Sequence, residues 1–262
     1  MELKTKGQQQ LQTVERALRV LSTFNEQKSE YTLQEICNEL NLPKTMVFRT
    51  LQTLESMGYV LKNDKDKSYS PGFENFRLGK VVEKNFSLSK ISLPILQELN
   101  DITKETICLI IPDISLLRGI QVLSIPSKHA VKHDPDVSTV GYLHGGAARK
   151  TILAHMEPEF INQVIEKVGL LKLTENTITN PDDLCKELKQ IKEQGYAISC
   201  GEVVEDVFSV AAPIFNYQGK IMGSLTIYLP VYRLNGNDEK EKLIDLVKLY
   251  SSKISGFLSY RS

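Results

Sequence analysis

The sequence lacks the features of a membrane or secreted protein. Its 262 residues contain no apolar run of about 18 residues, so neither a membrane-spanning helix nor a membrane partner is predicted. The segment from Met1 to Lys6 has no apolar core of a signal peptide, which favours a cytoplasmic protein. With 41% hydrophobic residues the chain can form sizeable cores, and its length suits two domains of about 100–200 residues each.

Cysteine is scarce as well. The four cysteines, Cys37, Cys108, Cys185 and Cys200, lie far apart in the sequence and form no CxxC pair. This spacing is typical of free thiols in a reducing compartment, and it argues against a disulfide framework or a structural zinc site.

The chain has no net charge, because 32 Lys and Arg residues balance 32 Asp and Glu residues. The charge of the whole chain therefore indicates no particular partner. Between Lys44 and Lys67, however, five basic residues stand against three acidic ones, which gives this segment a charge of +2. A basic footprint of this kind is expected, in larger amount, on a protein that binds nucleic acid.

The first 72 residues predict three helices followed by a hairpin. Apolar residues at helical spacing indicate a helix over residues 10–24. Thr32 and Glu35 have the spacing of a capping box at the start of a second helix, which runs to Leu40. Pro43 suits the first turn of a third helix, and Gly58 suits its end. Short strands at 59–61 and 68–70 flank a charged tip, so the segment predicts a winged helix-turn-helix domain over residues 1–72.

The third helix has two different faces. Val47, Leu51 and Leu54 recur at helical spacing and should pack inward, which leaves the opposite stripe for a partner. In the major groove, arginine can pair with guanine and glutamine with adenine, each for about 1–3 kcal/mol of discrimination. Lysines suit the phosphates, and the alternative is a solvated surface helix without a partner. The candidate DNA-binding residues are Lys44, Thr45, Met46, Phe48, Arg49, Gln52, Lys62, Lys65 and Lys67.

The rest of the chain predicts a linker and an α+β domain. Residues 73–88 are expected to form a linker helix, with Gly72 and Gly79 as possible joints, before a larger domain over residues 89–262. Strands are predicted at 106–111, 116–123, 207–213 and 221–229, and helices at 89–100, 158–168, 181–194 and 239–260.

A loop rich in small residues enters a helix at Gly145, Gly146, Ala147 and Ala148. Small side chains would leave backbone N–H groups open at the positive end of the helix, where a carboxylate or phosphate can bind. The same residues also suit a tight turn against a neighbouring strand, and the sequence leaves both interpretations open.

Several segments resemble the IclR family of bacterial transcription regulators. Residues 14–21, 33–36 and 42–60 are similar to the family's DNA-binding head, and residues 144–154 and 195–214 to its effector-domain signatures. The resemblance implies a GAF-like α/β effector-binding domain with an antiparallel sheet behind the head. It further implies a homodimer or homotetramer that binds a double-stranded DNA operator and a small effector. The protein is expected to be a repressor, and the effector is expected to be a carboxylate.

The resemblance also implies which residues line the effector pocket. They would be Ala147 and Ala148 at a helix start, Ser199 and Cys200 in a loop after Ala197, and Val207, Ser209, Thr226 and Tyr228 on strands. Ser199, Arg149, Asp206 and Tyr228 depart from the pattern of members that take small keto acids, so a different ligand is expected. Met46 and Phe48 depart from the pattern of the head, so a different operator is expected. Arg149 would suit a carboxylate if it points inward, and its direction stays open.

The sequence also contains residue types that suit a zinc site or a catalytic pair. His129, His133, His144 and Cys200 could hold zinc, but their spacing matches no known motif. Cys200 and His144 could imitate a nucleophile and its base, but no third, orienting group is recognisable. The sequence therefore predicts no catalytic, metal or cofactor site. A small-molecule enzyme with a helical head and a protein-interaction module remain as alternative functions.

Overall fold

The computed structural model describes residues 11–25, 28–85, 87–130 and 140–259. The chain forms two compact units, of which the first reaches Asn85 and the second begins at Phe86. This division falls inside the segment 73–88 that we predicted as a linker. None of the described helices is both long and apolar enough to cross a membrane.

The N-terminal unit is helical with a small sheet. Its three strands have the antiparallel order β1-β3-β2. Its elements are α1 (Gln12–Thr23), β1 (Tyr31–Thr32), α2 (Leu33–Leu40), α3 (Lys44–Ser56), β2 (Val60–Lys62), β3 (Ser68–Pro71) and α4 (Phe73–Asn85).

Local signals define most of these boundaries. The capping box is present: Thr32 accepts the amide hydrogen of Glu35, and the Glu35 carboxylate accepts that of Thr32. Pro43 is the N-cap of α3 rather than its first helical residue, and Gly58, with φ of 76°, follows the end of the helix. The joint predicted at Gly79 is wrong, because Gly79 lies within α4.

The core of this unit is formed by the three helices and the hairpin. The predicted inner face of α3 is confirmed, since Val47, Leu51 and Leu54 are buried. They pack in one cluster with Val20 of α1 and Ile36 of α2. The opposite face of α3 is thereby held outward.

The C-terminal unit contains one six-stranded sheet whose neighbours are all antiparallel, in the order β6-β5-β4-β9-β8-β7. The α+β class predicted from the sequence and the antiparallel sheet implied by the resemblance are confirmed. Its elements are α5 (Ser87–Thr103), β4 (Thr106–Asp113), β5 (Arg118–Ile125), β6 (Val140–Tyr142), α6 (Ala147–Ala154), α7 (Pro158–Gln163), α8 (Pro181–Gln194), β7 (Ala197–Cys200), β8 (Val207–Phe215), β9 (Ile221–Pro230) and α9 (Gly236–Ser259).

Helices cover both faces of this sheet. On one face α5 and α9 enclose an apolar core that includes Leu109, Leu225 and Val247. On the other face α6 and α8 pack on a second cluster that includes Ile152 and Leu188. The face under α6 contains most of the polar side chains discussed below.

Some expectations for this unit were wrong in detail. The helix predicted at residues 158–168 is α7 followed by a π-helical turn at Val164–Val168. The strands β6 and β7 were not predicted. Because β7 spans Ala197–Cys200, Ser199 and Cys200 lie on a strand and not in a loop.

Candidate nucleic-acid interface and ligand face

The outer stripe of α3 is exposed along its whole length. Thr45, Arg49 and Gln52 are exposed, as is Lys44 at the first helical position. The ring of Phe48 lies among them and is 37% exposed. The structure thus brings the predicted residues of α3 together on one surface, and Met46 stands at its edge, also exposed.

The turn between α2 and α3 fixes the direction of that stripe. Asn41 ends α2 in the left-handed region, with φ of 51°, and the amide of Leu42 donates to the Cys37 carbonyl oxygen at 3.1 Å. The chain is then redirected at once into α3, whose first amides donate to the carbonyl oxygen of Pro43. This is the geometry of a helix-turn-helix.

The tip of the β2–β3 hairpin is held by its own side chains. The Asp66 carboxylate accepts the amide and hydroxyl hydrogens of Ser68, and these hydrogen bonds hold the pKa of Asp66 below its usual value. Lys65 at the tip is exposed, and Lys67 approaches Asp64 at 3.5 Å. Lys62 is half-buried on β2. Lys65 and Lys67 therefore lie on a turn that is held by side-chain hydrogen bonds, and Lys62 lies on the strand before it.

Across the large sheet, side chains that share a row also share a face. One row contains Ser199, Ser209, Tyr228 and Thr106, from β7, β8, β9 and β4 in turn. Four hydroxyl groups therefore stand side by side on the face under α6. Val207 lies on the same face, two residues before Ser209 on β8. Burial raises the pKa of Tyr228, so its phenol stays protonated and can donate a hydrogen bond.

The next row on this face contains Ala197, Ala211, Thr226, Cys108 and Ser124. Thr226 is fully buried, and its hydroxyl group has no hydrogen-bond partner among the described residues. Helix α6 is held over these rows by Ser224, whose hydroxyl donates to the Ala148 carbonyl oxygen at 2.9 Å. Buried Ala147 and Ala148 are thus placed above the row.

Cys200 does not belong to this face. It pairs in register with Phe208, whose ring packs into the cluster under α5 and α9. Cys200 is moreover exposed. Its expected place in the pocket is wrong, because neighbouring residues of a strand point to opposite faces.

Arg149 points inward, which settles a question that the sequence left open. Its side chain is only 8% exposed. It lies against β5 and β6, where Gly119 and Gly141 pair in register. A Cβ atom added at Gly141 would overlap the guanidinium group, and one at Gly119 would lie 3.0 Å from Arg149 Cγ. A permanent positive charge is therefore carried into the interior on the α6 side of the sheet.

The start of α6 differs from the open anion site that the sequence suggested. The Gly146 amide donates to Glu202 Oε2 at 3.2 Å, and the Gly145 amide donates to the Tyr142 carbonyl oxygen at 3.3 Å. Lys150 donates to Glu202 Oε1 at 2.6 Å and to Glu187 Oε1 at 3.0 Å. The expectation of open amides at these two glycines is wrong, because the chain supplies its own carboxylate.

His144 precedes this turn and is fully buried. Its Nε2 atom lies 3.0 Å from the Leu171 carbonyl oxygen, and its Nδ1 atom has no hydrogen-bond partner among the described residues. Burial lowers the pKa of His144. The ring is therefore neutral near pH 7 and donates through Nε2.

The metal alternative finds no support in the described part of the chain. No group of three or more His, Cys, Asp or Glu side chains is placed there to hold a metal ion. His133, one of the four residues considered, lies outside the described residues. All four cysteines are free thiols.

Two family models match the chain. The model described as IclR helix-turn-helix domain matches residues 13–64, and the model described as Bacterial transcriptional regulator IclR C-terminal matches residues 81–256. The chain belongs to the IclR family. It is accordingly a DNA-binding transcription regulator with an effector-binding C-terminal domain, and IclR proteins are regulators rather than enzymes.

The matches to related proteins cover most of the chain. The HTH-type transcriptional regulator KipR of Bacillus subtilis (strain 168) is 29% identical over 82% of this chain and 84% of its own length. A solved IclR transcriptional regulator from Alicyclobacillus acidocaldarius is 26% identical, with a TM-score of 0.82, and the match covers 95% of this chain and 100% of that one. An IclR homologue from Microbacterium hydrocarbonoxydans, solved in complex with 4-hydroxybenzoate, has the same fold, with a TM-score of 0.80 and 21% identity over 94% and 98% of the two chains.

Sequence reasoning about this IclR protein missed several residues of the ligand face. Thr106 and Cys108 lie on β4 without any motif around them, and only the register with β9 places them beside Tyr228 and Thr226. Glu202 was noted only as part of a signature. Its contact with Gly146 spans 56 residues, and no local pattern could have indicated it.

Proposed function

We propose that this regulator is a repressor that binds a palindromic operator as a homodimer and is released by a small carboxylate. In this proposal the outer stripe of α3 enters the major groove and the wing contacts the DNA backbone. The effector binds to the two rows of side chains under α6 that contain Ser209 and Thr226. The effector acts by binding the DNA-free arrangement more tightly, because only differential affinity can shift the equilibrium.

On the DNA side, the proposal assigns the base contacts to Thr45, Met46, Phe48, Arg49 and Gln52. Their exposure on a helix that begins directly after a tight turn supports this assignment. Phe48 is suited to contact a thymine methyl group. Lys44, Lys62, Lys65 and Lys67 are assigned to phosphates, because a lysine ammonium group binds phosphate as a point charge and conveys no base sequence.

On the effector side, the observation that carries the proposal is the buried guanidinium of Arg149. Because Glu202 already occupies the Gly146 amide, we assign the carboxylate of the ligand to Arg149 and not to the start of α6. The hydroxyl groups of Ser199, Ser209 and Thr226 would then bind polar groups on the rest of the ligand. Tyr228 supplies a protonated phenol, and Ala147, Ala148 and Val207 complete the wall. Cys200 is left out of this assignment.

The homodimer is supported by apolar side chains on the surface of the N-terminal unit. Leu11, Val14 and Leu18 follow one stripe of α1 and its preceding residue, and all three are exposed. Phe73 and Phe76 at the start of α4 are exposed as well. Exposed apolar stripes of this kind mark association surfaces, and a two-fold dimer matches a palindromic operator. The proposal keeps residues 1–72 as the DNA-binding domain, 73–88 as the linker and 89–262 as the effector domain.

Two measurements test the proposal. Titration of the DNA upstream of the gene, at stated salt concentrations, should show a clear preference over random duplex, and equal affinity for both would refute the proposed operator binding. Thermal-shift screening against small carboxylates, sugar acids and aromatic acids should identify a stabilising ligand. That ligand should lose its effect in Arg149→Gln and should weaken operator binding by the wild type. A ligand that strengthens operator binding would refute release by the effector.

A further inference from the structure

A groove of about 360 Å³ runs between α1 and α3 in the N-terminal unit. Thr13 and Arg16 line it from α1, and Met46, Arg49 and Thr53 line it from α3. Arg49 therefore belongs to two surfaces, the outer stripe of α3 and the wall of this groove. A duplex docked on the stripe as proposed would therefore lie close to the groove.

The groove contains two positive charges and no negative one among its lining residues. Arg16 is half-buried and Arg49 is exposed. Neither guanidinium takes part in an ion pair or a side-chain hydrogen bond within the described residues, whereas Arg19 on the same helix donates to the Leu40 carbonyl oxygen. The Arg16 stem is partly covered by the groove while its guanidinium group stays within reach of solvent, so its five N–H donors are available to an anion.

The other polar groups of the groove cannot replace the missing anion. Thr53 donates its hydroxyl hydrogen to the Arg49 carbonyl oxygen at 3.0 Å, and Thr50 donates to the Met46 carbonyl oxygen at 3.0 Å. Both hydroxyl groups therefore present only acceptor lone pairs to the groove. The remaining donors there are the Thr13 hydroxyl and the two guanidinium groups, and of these only the guanidinium groups match a phosphate in charge and in geometry.

We propose that this groove binds one backbone phosphate of the DNA, and that Arg16 is a positioning contact that fixes the register of α3 in the major groove. The inference rests on the proposed docking of the α3 stripe. Arg16 would hold the phosphate from α1, while Arg49, at the border of groove and stripe, contacts a base edge with its neighbours on the stripe. Because a phosphate contact conveys no sequence, Arg16 contributes equally to every duplex.

The test compares the full-length wild type with Arg16→Ala on a short random-sequence duplex between about 50 and 200 mM salt. We expect the slope of log K against log salt to become less negative by about 0.9, and the affinity to fall by the same factor on random and upstream DNA. Arg19→Ala is the matched control, since it removes the same charge from the same helix outside the groove. A slope unchanged in Arg16→Ala, or an equal change in Arg19→Ala, would overturn the inference.

A second variant separates contact from folding. Arg16→Lys keeps the charge and loses the planar fork, so we expect the wild-type salt slope with weaker binding. If Arg16→Lys instead binds as weakly as Arg16→Ala and has the same reduced salt slope, the role proposed for the charge of Arg16 is overturned. If inorganic phosphate raises the melting temperature through Arg16 while DNA affinity is the same in both proteins, the groove takes free anions and not DNA. Failure of the proposed function looks different, because the wild type would then bind random and upstream DNA equally, whatever residue 16 is.

Discussion

Lys150 and Glu202 form an ion pair at 2.6 Å in the interior of the C-terminal unit, between α6 and the segment that joins β7 to β8. The Lys150 side chain is 1% exposed, and it also reaches Glu187 of α8 at 3.0 Å. One ammonium group thus connects three parts of the fold. A charge so deeply buried is stable only while its partners remain in place.

Replacing Lys150 with Met should destabilise the protein strongly. The change leaves Glu202 and Glu187 without their cation, and the breaking of a buried pair costs about 3–5 kcal/mol. The measurement is the free energy of unfolding in denaturant. Lys186→Met is the control, because Lys186 and Asp183 pair at the surface with side chains 77% and 63% exposed, and its effect should stay within about 0.5 kcal/mol. Equal effects of the two variants would contradict this account of Lys150.

Replacing Glu202 with Ala should open an anion site at Gly146 and Lys150, which the Glu202 carboxylate occupies in the wild type. The Gly146 amide and the Lys150 ammonium group would lose their shared carboxylate, so added acetate can take its place. We expect acetate to raise the melting temperature of Glu202→Ala more than that of the wild type, whose only proposed carboxylate site is at Arg149, with chloride at equal ionic strength as the salt control. Stabilisation of both proteins by acetate to the same extent would show that Glu202 does not close this site.

Arg49→Ala should reduce specific DNA binding more than non-specific binding. Loss of a bidentate contact to guanine removes about 1–3 kcal/mol of discrimination at one base pair, whereas the phosphate contacts persist. Competition titrations with upstream and random duplex at fixed salt measure the two affinities. Lys65→Ala, at the wing tip, should instead weaken both to a similar degree. If Arg49→Ala behaves like Lys65→Ala, Arg49 contacts phosphate and not a base.

Stability should fall as the pH is lowered from 7 to 5. Burial holds the pKa values of His144 and His155 below the ordinary histidine value of 6.5. As the pH falls through 6.5, the unfolded chain takes up protons before the folded one, so stability that is complete above this pH is progressively lost below it. The pKa of Glu35 is lowered to about 2 by its hydrogen bonds to Lys28 and Thr32. The stabilisation that it provides is therefore complete between pH 5 and 7 and is lost only below about pH 4.5.

Melting temperatures measured at intervals from pH 7 to pH 5 test the assignment to the two histidines. The double variant His144→Gln/His155→Gln should have a flatter profile than the wild type, even if it melts at a lower temperature throughout. A profile of the same steepness would assign the loss to other groups.

The parts of the fold that were predictable from the sequence are those with local causes. The capping box at Thr32 and the apolar spacing of Val47, Leu51 and Leu54 are complete within one or two helical turns, and the structure confirms them. The short strands β1, β6 and β7 have two to four residues each, too few to show the alternation that identifies a strand.

The ligand face was predictable only in part, because its geometry depends on register across strands that are distant in sequence. Ser199 and Tyr228 were named through resemblance, and only the pairing through Ser209 shows that they stand in one row. Cys200 was misplaced because β7 was unseen, and a strand reverses the side of every second residue. Glu202 could not be anticipated at the start of α6, since nothing near Gly146 in the sequence reveals a carboxylate from another segment.

The inward course of Arg149 depends on two residues that have no side chain. Gly119 and Gly141 face each other across β5 and β6, and together they leave a trough in the sheet that the arginine fills. A single methyl group at Gly141 would displace the guanidinium while Arg149 itself stayed unchanged in the sequence. The position of this positive charge is thus determined by the glycine backbone of β5 and β6, and any change of ligand preference in this protein has to treat positions 119, 141 and 149 as one unit.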